Sequence, residues 1–149
     1  IMTNRSNQAI QFAQLVQDRQ NDICKALADV DGGEFKEDIW ERPGGGGGKT
    51  RIITGDVIEK GGVNTSEVFG HLKASELPMF NQLIQRVDST AEATEDSSFY
   101  ATGISLVIHP HNPHVPTVHA NFRYFDIQLA DRTLWWIGGG ADLTPLYFI

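Results

Sequence analysis

The chain has 149 residues, of which 40% are apolar and 21% charged, and its net charge is −7. These values predict a single globular domain, residues 1–149, and no apolar run reaches the roughly 18 residues that a membrane span needs. The acidic charge argues against nucleic acids and anionic membranes as partners, because both require a basic surface. A lone cysteine, Cys24, excludes an internal disulfide and predicts a cytoplasmic location.

The first half of the chain predicts one helix followed by short strands. Over residues 7–30, apolar residues recur at steps of three and four, which is typical of a helix that packs one side inward. The sequence Asp31-Gly32-Gly33 is expected to end this helix, since glycine adopts left-handed angles without penalty. Short apolar pieces then predict a meander of strands at 52–53, 57–58 and 68–69.

The glycine run Gly44–Gly48, followed by Lys49 and Thr50, resembles a phosphate-binding loop. That motif requires a glycine where Pro43 stands and a helix afterwards, and strand-like residues follow instead. The run therefore predicts a mobile or tightly turned loop, with close approach of its backbone to a ligand as the alternative.

The second half predicts a short helix over 78–87 and then three strands. The long strands fall at 99–109 and 117–129, because three prolines confine residues 110–116 to a connection. A shorter strand follows at 134–137, and Gly138-Gly139-Gly140 is expected to release the chain into a loop that carries Asp142. This order of elements favours an α+β fold with a large, mostly antiparallel sheet flanked by helices.

Residues 105–123 hold four of the five histidines. Alternation along the first long strand places Ser105 and His109 opposite an apolar face. In the second long strand, His119, Asn121 and Arg123 share one face, spaced at about 6–7 Å, while the other face is apolar. An imidazole, a carboxamide and a guanidinium in a row predict a site for a flat ligand, and an anionic ligand would need such a locally placed arginine.

The chain resembles oxygen-dependent coproporphyrinogen III oxidases over nearly all its length. The resemblance rests on five segments in order, which are residues 30–33, 40–48, 59–64, 105–123 and 135–145. It covers only the front half of that family, whose members continue well beyond Ile149 with further histidines and a dimer-forming end. The apolar residues 146–149 stop without a cap, so the chain is also expected to be cut within an element.

This resemblance implies oxidative decarboxylation of two propionates of coproporphyrinogen III to vinyl groups, which gives protoporphyrinogen IX in haem biosynthesis. It implies dioxygen as co-substrate, no organic cofactor, a divalent metal with His109 as one ligand, and a homodimer. By position, Ser105, Asn121 and Arg123 match substrate-contacting residues, and His119 matches the proposed proton donor. Asp142 matches an aspartate that faces the pyrrole nitrogens. From the residues alone, Asp142 is equally a turn former or a site carboxylate.

Two other functions stay open from the sequence. The 149 residues could form an inactive half-length fragment that associates with another chain through an open sheet edge and an uncovered apolar face. Alternatively, His109, His111 and His119 could serve a metal-dependent enzyme or a metal-binding protein.

Overall fold

The computed structural model describes residues 5–147, in which two helices accompany one antiparallel sheet of six strands in the order β1-β2-β3-β4-β5-β6. The elements are α1 (Asn7–Asp31), β1 (Lys36–Glu41), β2 (Gly46–Ile53), β3 (Ile58–His71), α2 (Leu77–Ile84), β4 (Ser98–Pro110), β5 (Thr117–Gln128) and β6 (Thr133–Thr144). The predicted α+β class and antiparallel sheet are confirmed. Neither described helix is long and apolar enough to cross a membrane.

Helix α1 has the bounds that its apolar repeat predicts. The Ser6 side chain caps its start by accepting a hydrogen bond from the Ala9 amide. Gly32 ends it with φ of 76°, and the Gly32 amide donates to the Ala28 carbonyl. Cys24 is buried within this helix. The predicted helix over 78–87 is shorter in the structure, because α2 ends at Ile84.

Three strands of the sheet differ from the prediction. Strand β1 is not predicted by the sequence, since all of its residues are exposed and four of the six are charged, so it has no buried face to give an alternating pattern. Strand β3 is one continuous strand through Gly61 and Gly62, where the sequence predicts separate short pieces. Strand β6 runs unbroken through its glycines, so Asp142 lies on a strand and not in a loop. Pairing with β5 holds these glycines extended.

The glycine run forms the turn between β1 and β2 and then enters β2. Gly45 and Gly46 have φ of 111° and 93°, in the left-handed region that favours glycine. A side chain at Gly48 would overlap the ring of Trp40, its partner on β1. The run is thus a hairpin whose glycines permit close packing, and no helix follows it as a phosphate loop requires.

One sheet face packs against α1 and forms the main core. Its buried members are Val16, Cys24, Ile53, Ile58, Val63, Ile104 and Ile108. Gln20 also points into this layer, and its carboxamide bonds to backbone carbonyls of β2 and β3. Helix α1 does not cover β6 or the adjoining part of β5. Apolar side chains stay exposed there on the same face, namely Phe122, Trp135, Ile137 and Leu143.

The opposite face packs against α2 at one end only. Phe80 of α2 stacks on Phe125 of β5 with ring centroids 5.7 Å apart, and Trp136 of β6 stacks on Phe125 at 4.7 Å. Trp135 stacks instead on Tyr124, so the two tryptophans point to opposite faces as alternation predicts. Away from this aromatic end, the same face of β4, β5 and β6 carries mainly polar residues and glycines.

Asp126 of β5 is a buried carboxyl group whose ionisation opposes folding. It is 5% exposed, accepts a hydrogen bond from the Tyr124 hydroxyl at 3.0 Å, and burial raises its pKa. A carboxyl pKa that is higher in the folded state means that stability falls as pH rises from the ordinary pKa through the raised one. Asp126→Asn keeps an acceptor for Tyr124 but carries no charge.

We therefore expect Asp126→Asn to raise the midpoint of urea unfolding at pH 7. The gain should shrink as pH falls through the raised pKa and be lost below the ordinary aspartate pKa of 3.8, where the wild-type carboxyl is protonated in both states. Asp56→Asn, in an exposed turn, serves as the matched control and should show no such trend. An equal or lower midpoint for Asp126→Asn at pH 7 would contradict this reasoning.

Candidate active site

The predicted ligand-binding residues meet at the centre of the uncovered face. Ser105 of β4 is the direct cross-strand partner of Asn121 of β5, and Arg123 lies two residues farther along β5. Directly opposed residues of antiparallel strands project to the same face. The structure therefore brings Ser105, Asn121 and Arg123 into one patch, on the face predicted from alternation.

His119 and Asp142 form a hydrogen-bonded pair on this same face. They are cross-strand partners on β5 and β6, and Nδ1 of His119 lies 3.0 Å from Oδ1 of Asp142. The Thr144 hydroxyl donates to the same carboxylate oxygen at 2.9 Å. These two hydrogen bonds, that from His119 first, lower the pKa of Asp142 below its ordinary value.

An ionised Asp142 fixes the state of the His119 ring. A carboxylate only accepts hydrogen bonds, so Nδ1 must carry the proton. In the neutral ring Nε2 is then the unprotonated nitrogen, and it faces away from the carboxylate as a free acceptor. Nε2 is therefore the ring atom that can accept a proton. Asp142 lies on a strand, so it is not a turn former.

His109 lies beside this pair, with its ring 6.2 Å from that of His119 and edge-on to it. Its Nδ1 is 3.5 Å from the Thr117 hydroxyl. Within residues 5–147, no group of three or more His, Cys, Asp or Glu side chains is placed to hold a metal ion. The described residues thus do not fit a divalent site, which commonly has three protein ligands, and His109 as a ligand stays a prediction.

His111 and His114, which lie in the connection between β4 and β5, are away from the His119–Asp142 pair. Nε2 of His111 is 2.9 Å from the Gly55 carbonyl, beyond the far ends of the strands, and the His114 ring packs 5.5 Å from that of Tyr147. A shared metal site of His109, His111 and His119 is not formed among the residues that the structure describes.

Glycines leave open space next to the polar side chains. Gly138 and Gly140 of β6 are the cross-strand partners of Arg123 and Asn121. A Cβ built at either glycine meets no atom within 4 Å. The space above the sheet is therefore open at these two positions, and a planar ligand could approach the backbone there without meeting a side chain of Gly138 or Gly140.

Two adjoining depressions follow from this arrangement. One, of about 370 Å³, is bordered by Ser105, His119, Asn121 and Asp142. The other, of about 680 Å³, lies between the sheet and α2, has Asn121 and Arg123 on its floor, and we call it the α2 groove. Its walls are largely apolar and include Phe80, Phe125 and Trp136. Because Asn121 borders both, the depressions form one site with an acid–base end and an apolar end.

Two further residues border this site and are not predicted from the sequence. Asn64 of β3 is the cross-strand partner of Ser105, and its Oδ1 is buried without a hydrogen-bond partner among the described residues. Alternation along residues 58–71 would have found Asn64, had Gly61 and Gly62 not divided the strand in the prediction. Arg86, just beyond α2, lines the α2 groove, and only tertiary structure places it there.

Fold and site together define an α+β protein whose antiparallel sheet carries a histidine–aspartate pair next to an arginine-bearing cleft. Comparison with known proteins identifies its relatives. The coproporphyrinogen III oxidase family matches residues 11–149, and the chain belongs to this family.

Two curated relatives come from Prochlorococcus marinus, and both are named oxygen-dependent coproporphyrinogen-III oxidase. The protein of strain NATL1A is 44% identical over 144 residues, which cover 95% of this chain and 37% of the relative. The protein of strain NATL2A is 43% identical over 144 residues, and it too is covered over 37% of its length. The chain therefore spans little more than a third of the length of these relatives.

Proposed function

We propose that this chain carries the substrate-binding sheet and the proton-transferring pair of an oxygen-dependent coproporphyrinogen III oxidase. The reaction is oxidative decarboxylation of two propionates of coproporphyrinogen III to vinyl groups, with protoporphyrinogen IX as product for haem biosynthesis. The observation that carries the proposal is the His119–Asp142 pair on the same sheet face as Asn121 and Arg123. Family membership supplies the substrate class.

Each decarboxylation balances with one dioxygen. The propionate loses carbon dioxide from one carbon and, from the carbon next to the ring, one hydrogen with two electrons, and a vinyl group remains. Dioxygen takes up that hydrogen and both electrons together with one further proton, which gives hydrogen peroxide. Two propionates therefore consume two molecules of dioxygen, and protons must move near the ring at each step.

The side chains on the open face suit these needs. Arg123 offers a planar fork of donors to a propionate carboxylate, and Ser105 and Asn121 offer hydrogen bonds beside it. The His119–Asp142 pair accepts a proton from the substrate and passes it to the reduced dioxygen, and general acid–base catalysis of this kind is typically worth about 10²–10⁴-fold in rate. The apolar end of the α2 groove provides a surface for the ring edge.

The proposal needs no organic cofactor, because the electron-rich ring is itself the reductant of dioxygen. No step is assigned to a metal ion, since the described residues do not form a three-ligand site.

We propose a cytoplasmic homodimer as the working form. Trp135, Ile137 and Leu143 of β6 expose apolar side chains on one face of the strand, and this supports association because exposed apolar side chains favour burial in an interface.

The test is turnover in a chimaera. The chain replaces the matching segment of the strain NATL1A relative, and the purified chimaera is mixed with coproporphyrinogen III in air. After oxidation of the porphyrinogens, protoporphyrin fluorescence is measured following separation, and the chain alone is assayed in parallel. We expect product from the chimaera. The Arg123→Gln variant of the chimaera should bind coproporphyrinogen III about 10-fold more weakly or worse, because one charge-assisted contact disappears.

The control is the unmodified relative, purified and assayed in the same way. Product from this control, together with a folded but inactive chimaera, would refute the proposed function. Activity that is equal with and without a strong chelator would further show that turnover does not depend on a removable metal.

A further inference from the structure

The seven arginines of the chain fall into three groups by their surroundings. Four of them pair with carboxylates, namely Arg5, Arg19, Arg51 and Arg132. The guanidinium of Arg42 lies against Gly44 in the β1–β2 turn. The other two, Arg86 and Arg123, have no carboxylate within ion-pair distance in residues 5–147, and both line the α2 groove. In a chain of net charge −7, two such guanidiniums facing one groove indicate an anionic ligand.

The wall that carries Arg86 is apolar and exposed. Met79 and Leu83 are 62% and 40% exposed, stand four residues apart on α2, and line the α2 groove. Residues at this spacing lie on one side of a helix. Arg86 follows three residues after Leu83, and the Arg86 amide bonds to the Leu83 carbonyl, so it continues the same side. The groove thus joins a two-residue apolar wall to a cation.

We propose that Arg86 is a second carboxylate-binding residue, which holds one acidic side arm of a flat apolar ring while Arg123 holds another. Identification of the ring as coproporphyrinogen rests on the proposed function, whereas the two-arginine groove stands on geometry. The ring edge would lie against Met79 and Leu83, above the open position at Gly138. Arg86 is then a positioning residue that fixes which arm lies near His119.

Charge complementarity supports this occupant over a wholly apolar one. Each guanidinium presents two parallel donors that match the two oxygens of a carboxylate. A ligand with a single carboxylate would use one arginine and leave the other unpaired. A ring with carboxylates on more than one side uses both, and its apolar body covers the exposed helix wall.

The test measures binding directly. Coproporphyrin III, the oxidised ring with four carboxylates, is titrated by fluorescence into the same chimaera. Arg86→Gln should weaken binding roughly 10-fold or more, as loss of a charge-assisted contact does. Lys73→Gln is the matched control, because it removes the same charge from an exposed residue before α2 that does not line the groove. It should change binding less than about 2-fold.

The outcomes separate this inference from the proposed function. Equal binding by Arg86→Gln and Lys73→Gln, with unchanged thermal midpoints, would overturn the role of Arg86 even if the chimaera is active. Arg86-dependent binding without turnover would instead refute the function and keep the groove. In turnover assays Arg86→Gln should raise KM more than it lowers kcat, since it removes binding and no proton-transfer group. No binding by the unchanged chimaera would refute both.

Discussion

Asp142→Asn is expected to lower kcat of the active chimaera by about 10²–10⁴-fold with little change in KM. The ionised carboxylate fixes the proton of His119 on Nδ1 through a 3.0 Å hydrogen bond. A carboxamide can donate to Nδ1 as well as accept from it, so it no longer selects the tautomer with Nε2 unprotonated. It also lacks the negative charge that Asp142 places beside the ring.

The measurement is steady-state turnover of coproporphyrinogen III, with urea unfolding of each variant to confirm the fold. Asp131→Asn is the matched control, since Asp131 is an exposed aspartate in the β5–β6 turn and lies outside the site. Asp142→Glu should recover part of kcat, because it restores the charge at a changed distance. Near-normal turnover by Asp142→Asn would remove Asp142 from the mechanism.

Gln20→Leu is expected to lower the free energy of unfolding by about 2–4 kcal/mol. Gln20 is 1% exposed, and its Nε2 donates to the carbonyls of Lys49 and Val63, both at 2.9 Å. Its Oε1 accepts from the Thr65 hydroxyl at 3.3 Å. Leucine fills a similar volume but leaves these buried groups without the carboxamide, and each unsatisfied group costs about 1–3 kcal/mol.

Urea unfolding of the 149-residue chain measures this loss. Gln14→Leu is the control on the same helix, because Gln14 is exposed and bonds only to Asp18 on the surface. The control should change stability by less than about 0.5 kcal/mol. Equal losses for both variants would mean that the carboxamide of Gln20 does not hold α1 to the sheet.

Alternation predicted β4 and β5 well because both strands have one face in contact with the core. Buried residues such as Ile104 and Tyr124 alternate with polar residues, and this pattern also set the correct face for Ser105, His119, Asn121 and Arg123. Local sequence was sufficient there because burial on one face leaves a period of two. The part of the site on β4 and β5 could thus be predicted from the sequence alone.

The strands that were missed lack such a pattern. Strand β1 is exposed throughout, and the glycines of β6 offer no side chain whose burial could reveal a strand. Both are held by their neighbours in the sheet, which is a tertiary effect. The hydrogen bond between His119 and Asp142 depends on β6 continuing past Gly140, so it could not be predicted from the sequence. The same holds for Arg86, which reaches the groove only through the packing of α2.

The consecutive strand order has a consequence for biosynthesis. Every strand pairs with the strand next to it along the chain, so no pairing must wait for a distant segment. In such a sequential topology each strand can pair with one already made, and domains can form as they leave the ribosome. Ser105, His119, Asn121, Arg123 and Asp142 all come from β4–β6, which follow one another directly. The acid–base end of the site can therefore assemble as soon as a single three-strand meander has been synthesised.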